Sequence, residues 1–176
     1  MIREFPMKGH AIFLAVLLWG TAQAHSATEL QSVAIGPWQI EASYTKDQKF
    51  DRCMMSRTTE TGLKAVFARD EAGTSLTLTS ERWKLDSGKT YAVEFAAGST
   101  VWKADVTATS DTVRVPLTDA RFNKALRNAN RLEVRGAGAT LKVPLAKSAD
   151  ALARLDRCYD TNKDASETNP FVAPKP

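Results

Sequence analysis

Residues 90–117 read TYAVEFAAGSTVWKADVTATSDTVRVPL, and their alternation decides the fold class. Tyr91, Val93 and Phe95 fall on one side. Trp102, Ala104 and Val106 then oppose Lys103, Asp105 and Thr107, and Val113, Val115 and Leu117 continue the pattern. A period of two marks strands with one face buried and one face wet. The breaks between them, AAGS at 96–99 and TSD at 109–111, carry the small and polar residues that turns favour.

The same rhythm extends toward the N-terminus. WQIEASY (38–44) sets Trp38, Ile40, Ala42 and Tyr44 together, and GLKAVFARD (62–70) does so for Leu63, Ala65 and Phe67. TSLTLTS (74–80) alternates leucine with threonine and serine, and DEAG (70–73) and LDSGK (85–89) read as turns. Toward the C-terminus the period changes. After Thr118 and Asp119, a suitable helix start, Phe122, Ala125, Leu126 and Ala129 recur at helical spacing. RLEVRGAGATLKVPL (131–145) reads as a hairpin through Gly136 and Gly138. Pro116 and Pro144 place their strands at edges or bends, because proline cannot donate to a ladder. A second helix opens at Ser148, with Ala151, Leu152, Leu155, Cys158 and Tyr159 on its apolar side. The expected fold is mainly β: an antiparallel β-sandwich or small barrel with one or two short helices and one disulfide.

The N-terminus has a different character. Arg3 and Lys8 precede the apolar run AIFLAVLL (11–18), and Ala22 and Ala24 form an A-x-A cleavage signal. This is the order of a secretory signal peptide, expected over 1–24 and removed after Ala24. The run is shorter than the ~20 apolar residues of a membrane span, and no later stretch approaches that length. No cysteine lies near the cleavage point to take a lipid. A lead-in over 25–35, a single β-rich domain over 36–160 and a flexible polar tail over 161–176 complete the expected organisation. Removing Arg3, Lys8 and Glu4 from the 24 basic and 20 acidic side chains leaves 22 and 19, a net charge of +3. So mild a balance, without a basic patch interleaved with stacking aromatics, speaks against nucleic acid as a partner.

The chain has two cysteines, Cys53 and Cys158, each in an Asp-Arg-Cys frame. In an exported protein two such residues are most simply a disulfide. Structural zinc wants four cysteine or histidine ligands, and a redox pair is normally C-x-x-C. Closing a loop of about a hundred residues contributes ~4–5 kcal/mol in the chain-entropy model.

Histidine is scarcer still: only His10 and His25, of which His10 leaves with the signal. A copper-binding histidine brace needs a second histidine, and Ser-His-Asp or Cys-His catalysis needs one inside the domain. Neither a metal nor a cofactor is therefore expected. SYTK (43–46) matches the S-x-x-K nucleophile motif but ends a strand and lacks the companion motifs. DTNKDASE (160–167) opens like a calcium loop, yet Ala165 stands where glycine is required and Phe171 where glutamate is. NPF (169–171) resembles a docking motif of eukaryotic endocytic proteins, for which an exported bacterial-type chain has no use. A carboxylate pair from Glu94 and Asp105, on the polar faces of neighbouring strands, is conceivable for glycosidase-like chemistry.

Two features remain for binding. Arg121, Lys124, Arg127 and Arg131 read as a basic stripe opposite the apolar side of the first helix, flanked by Arg114 and Arg135. A solvated polar face is the ordinary explanation of such spacing. Trp83 and Lys84, beside a turn in ERWKLDSGKT (81–90), are the candidate for a loop that inserts into a partner's cleft, while Trp38 and Trp102 read as core.

The signal peptide, Trp38, Cys53 and the segment LKVPLAKSADALARLDRC (141–158) together resemble, in layout, the small periplasmic proteins grouped around the invasion-associated locus B family. That resemblance implies an envelope-associated, exported protein, linked in some pathogens to host-cell entry, without established catalytic residues. The expected function is accordingly a periplasmic or secreted, non-catalytic binding module. It would contact an envelope protein or anionic envelope polymer through the basic helix face. The alternative is an inhibitor or immunity protein of a cell-wall or secreted enzyme.

Overall fold

The computed structural model describes residues 32–167. The expected signal peptide at 1–24, His25 and the NPF tripeptide all lie outside the described residues. The strands are β1 (Val33–Ile35), β2 (Trp38–Tyr44), β3 (Phe50–Thr58), β4 (Lys64–Asp70), β5 (Gly73–Thr79), β6 (Thr90–Ala97), β7 (Thr100–Ala108), β8 (Thr112–Pro116), β9 (Arg131–Arg135) and β10 (Thr140–Pro144). The helices are α1 (Ala120–Asn128), between β8 and β9, and α2 (Ser148–Glu167), after β10.

All ten strands belong to one antiparallel sheet ordered β1-β2-β3-β4-β5-β8-β7-β6-β9-β10. Most neighbours are joined by short turns. The β1–β2 loop is Gly36-Pro37, with Gly36 at φ +56°, the left-handed value that the first position of a II′ hairpin loop requires. The order departs from sequence where β6 and β8 flank β7 and the chain crosses through α1 to place β9 beside β6.

The sheet curls until its two ends meet. Arg57 of β3 donates from Nη1 to the carbonyl of Pro144, at the end of β10, across 2.7 Å. Trp38 Nε1 donates to the carbonyl of Ala146 at 3.0 Å. The inward side chains form one core, from Trp38, Ile40, Met55 and Phe67 round through Leu76, Leu78 and Val106 to Phe95, Leu132, Val134 and Val143. The mainly β antiparallel fold with helices and one disulfide is thus observed, as a single curled sheet. Pro144 lies on an edge strand. Pro116 follows the same rule although β8 is interior: β7 pairs only with Val113 and Arg114, so Pro116 faces no ladder on that side.

The helices pack on the core. Asp119 caps α1, its Oδ1 accepting from the Phe122 amide at 2.7 Å. Phe122 is buried with Phe95 and Trp102 at ring distances of 6.2 and 5.3 Å. In α2, Ala151, Leu152, Leu155, Cys158 and Tyr159 are buried. Cys158 is bonded to Cys53 of β3, 105 residues away, with 6.1 Å between their Cα atoms.

Two expected boundaries need correction, and a helix occupies the stretch with calcium-loop-like spacing. The lead-in over 25–35 contains β1, which pairs with β2 through Val33↔Ile40 and Ile35↔Trp38. Three residues are too few to show a period. Residues 161–167, expected as part of a flexible tail, belong instead to α2, which continues to Glu167 and at 20 residues is not short; the rest of the expected tail lies outside the described residues. Asn162 anchors that extension: its amide donates to the Cys158 carbonyl at 2.8 Å and its Oδ1 accepts from Tyr44 at 2.8 Å. Finally, Asp160, Asn162 and Asp164 stand on a helix, so they do not form a calcium loop.

Candidate functional site

The predicted basic stripe separates into cations with partners and cations without. Arg131 is not on α1. The helix ends at Asn128, whose side chain donates to the Lys124 carbonyl, and Ala129 is extended, so Arg131 opens β9 and pairs with Glu133 at 3.0 Å. Arg127 reaches across to α2 and pairs with Asp156 at 2.7 Å. The flanking arginines are engaged too: Arg114 with Asp70 at 3.5 Å, Arg135 with Glu94 at 2.7 Å and with Glu133 at 2.8 Å. Arg121 and Lys124 are different. Both are exposed, stand three residues apart on α1, and have no ion-pair partner among the described residues. Residues three apart on a helix are neighbours, so their charges add.

The engaged arginines form part of a ladder of opposite charges across the sheet. Lys142 faces Glu133, Arg135 faces Glu94, and Glu94 faces Lys103 in direct register across β10, β9, β6 and β7. Cross-strand pairs of this kind stabilise a sheet. Arg135, donating to Glu133, holds that carboxyl below the ordinary carboxylate range, and Glu133 and Glu94 in turn raise Arg135. Glu94 and Asp105 line one shallow hollow with Lys103 and Arg135, a juxtaposition that the sequence alone could not place. Glu94 is bonded to Arg135 there, which occupies the group that glycosidase-like chemistry would need.

The 81–90 loop is fastened rather than protruding. Leu85 donates its amide to Ser110, and Gly88 to Ala108, both at 2.8 Å. Lys84 is exposed, but Trp83 is half-buried and turns toward the core. Its indole forms one wall of an apolar cavity of about 310 Å3, together with Tyr91, Phe95, Val106, Val134 and Leu141. Tyr91, Phe95 and Val106 were legible in the sequence as positions on one face of their strands. That they leave a hollow was not, because alternation reports which face a side chain takes and not how closely opposing faces approach. Among the described residues no group of three or more histidine, cysteine or acidic side chains is placed to hold a metal ion, and no helix is long and apolar enough to cross a membrane.

The fold is similar to the crystal structure of invasion associated protein B from Bartonella henselae, with a TM-score of 0.55. The match covers 72% of this chain and 95% of that one at 18% sequence identity, and it bears on the fold alone. No family model matches the chain, and no curated protein matches it in sequence. The likeness read from layout therefore extends to the three-dimensional fold.

Proposed function

We propose that this chain is an exported, non-catalytic binding module of the bacterial envelope that meets an anionic polymer or acidic envelope protein through α1 at Arg121 and Lys124. One observation carries the reading: these two cations are exposed and unpaired among the described residues, while Arg114, Arg127, Arg131 and Arg135, before and after them in sequence, are committed to carboxylates. An unpaired surface cation costs little in water and attracts an opposite charge over roughly a Debye length, ~8–10 Å at physiological salt. The disulfide supports export, since such bonds persist in oxidising compartments. A fold shared with a protein named for invasion is in keeping with a surface-binding role. Periplasmic residence, with secretion as the variant, follows from the signal-like N-terminus. The inhibitor reading wanted Trp83 presented to a partner, and an indole set in a cavity wall does not favour it.

The test is in-cell crosslinking of the tagged chain beside its Arg121→Glu/Lys124→Glu form, with mass spectrometry of what co-purifies. Loss of an anionic or acidic partner on reversal, with the fold intact by circular dichroism, supports the reading. Recovery of the same partner in equal yield from both forms sinks it.

A further inference from the structure

The hollow beneath Trp83 lies outside the basic helix face and opens to solvent, with half-buried side chains round a floor of Phe95, Val106 and Val134. Its volume of about 310 Å3, on the concave side of β6 to β10, falls at the lower end of sites that hold small molecules, about 300–1,000 Å3. Its wall is aromatic and aliphatic, so water inside would find few hydrogen-bond partners. Part of its border is the 136–139 turn, Gly-Ala-Gly-Ala, which is exposed and carries nothing bulky. A Cβ added at Gly136 or Gly138 would meet nothing within 4 Å, so that side stands open.

The border on the other side is charged. Lys89 sits 5.4 Å from the centre of the Tyr91 ring, itself a wall residue. Lys84 lies between the wall residues Trp83 and Leu85, exposed and without an ion-pair partner among the described residues. Within 81–90 the acids are Glu81 and Asp86, the latter paired with Lys89 at 3.2 Å in full view of solvent. Arg82, Lys84 and Lys89 outnumber them.

We propose that this hollow binds the aliphatic tail of a single-chain anionic amphiphile of the fatty-acid class, with its head group among the lysines of the 81–90 loop. The cavity volume favours one chain over the two tails of a phospholipid, and the apolar wall with cations at its border matches a tail and a negative head.

Dodecanoate below its aggregation concentration is the probe, titrated into the purified chain and followed by tryptophan fluorescence and calorimetry. A saturable one-to-one transition is expected. Val113→Phe, which fills the hollow from β8, should abolish it. Lys84→Glu, a change at an exposed side chain without an ion-pair partner among the described residues, and the double variant Lys84→Glu/Lys89→Glu should weaken dodecanoate by roughly two- to fivefold per lost charge contact while leaving dodecanol unchanged. Arg121→Glu/Lys124→Glu should leave dodecanoate binding as it was, which separates this site from the helix-face reading. No saturable transition would overturn the proposal, as would capture of anionic phospholipid vesicles with none of monomeric dodecanoate. Unaltered dodecanoate affinity in a folded Val113→Phe protein, or in the lysine variants should Val113→Phe fail to fold, would overturn it as well.

Discussion

The indole of Trp38 donates its Nε1 proton to the carbonyl of Ala146 across 3.0 Å and 108 residues of chain. This bond joins the second strand to the segment between β10 and α2, where the two ends of the curled sheet meet. Trp38 is fully buried, with Phe67 edge-on at 5.8 Å and the Arg57 guanidinium 5.4 Å over its ring. Trp38→Phe keeps much of the apolar contact and removes the donor. It should lower stability by about 0.5–1.5 kcal/mol, the net worth of a hydrogen bond, because water can reach the exposed Ala146 carbonyl once the donor is gone. Urea unfolding measures this, and an unchanged midpoint would mean that the ends of the sheet do not depend on the bond.

The Cys53–Cys158 bond holds α2 on β3 at a second point. Its removal in Cys53→Ala/Cys158→Ala should cost about 4–5 kcal/mol, acting chiefly by freeing the unfolded chain. Denaturation of the wild type with and without reductant offers the same comparison. A loss below about 1 kcal/mol would contradict the entropic account.

Asp119 sets where α1 begins by accepting from the Phe122 amide. Asp119→Ala should destabilise by about 1 kcal/mol, as loss of an N-cap does. Because Arg121 and Lys124 ride on the same helix, Asp119→Asn is the informative partner variant. It keeps an accepting oxygen, so its stability should stay near wild type.

Glu133 links stability to pH. Its carboxyl titrates below the ordinary value because Arg135 donates to it, with Arg131 and Lys142 adding attraction. A depressed folded-state value contributes stability that is complete above the unfolded value, near 4.5, and fades as pH falls through the lower folded one. Glu133→Gln should therefore unfold at lower urea than wild type at pH 7, and the two midpoints should converge in acid. Added salt should narrow the gap at pH 7, since these charges are reached by solvent. A gap that stays constant from pH 7 to pH 3 would assign the effect to packing.

What the amino-acid order determined by itself was local. Alternation between Trp38 and Leu117 marked six strands, because a side chain's face in a strand depends only on its parity, and missed β3 (Phe50–Thr58), which was read only for its cysteine. Helical spacing with Asp119 and Ser148 at the starts marked both helices, and two cysteines in a chain with a signal-like N-terminus sufficed for the expectation of a staple. The candidate site was only half legible. Four basic residues near one helix were visible as a stripe, but their spacing did not reveal that Asp156 would come beside Arg127, or that the chain would turn at Ala129 and give Arg131 to a strand. Likewise Phe95 and Val106 were marked on the apolar faces of their strands, and only the curl of the sheet left room between them and Trp83. Charge pairing and cavity volume depend on which distant faces meet and at what separation, and these distances are set by the packed chain as a whole.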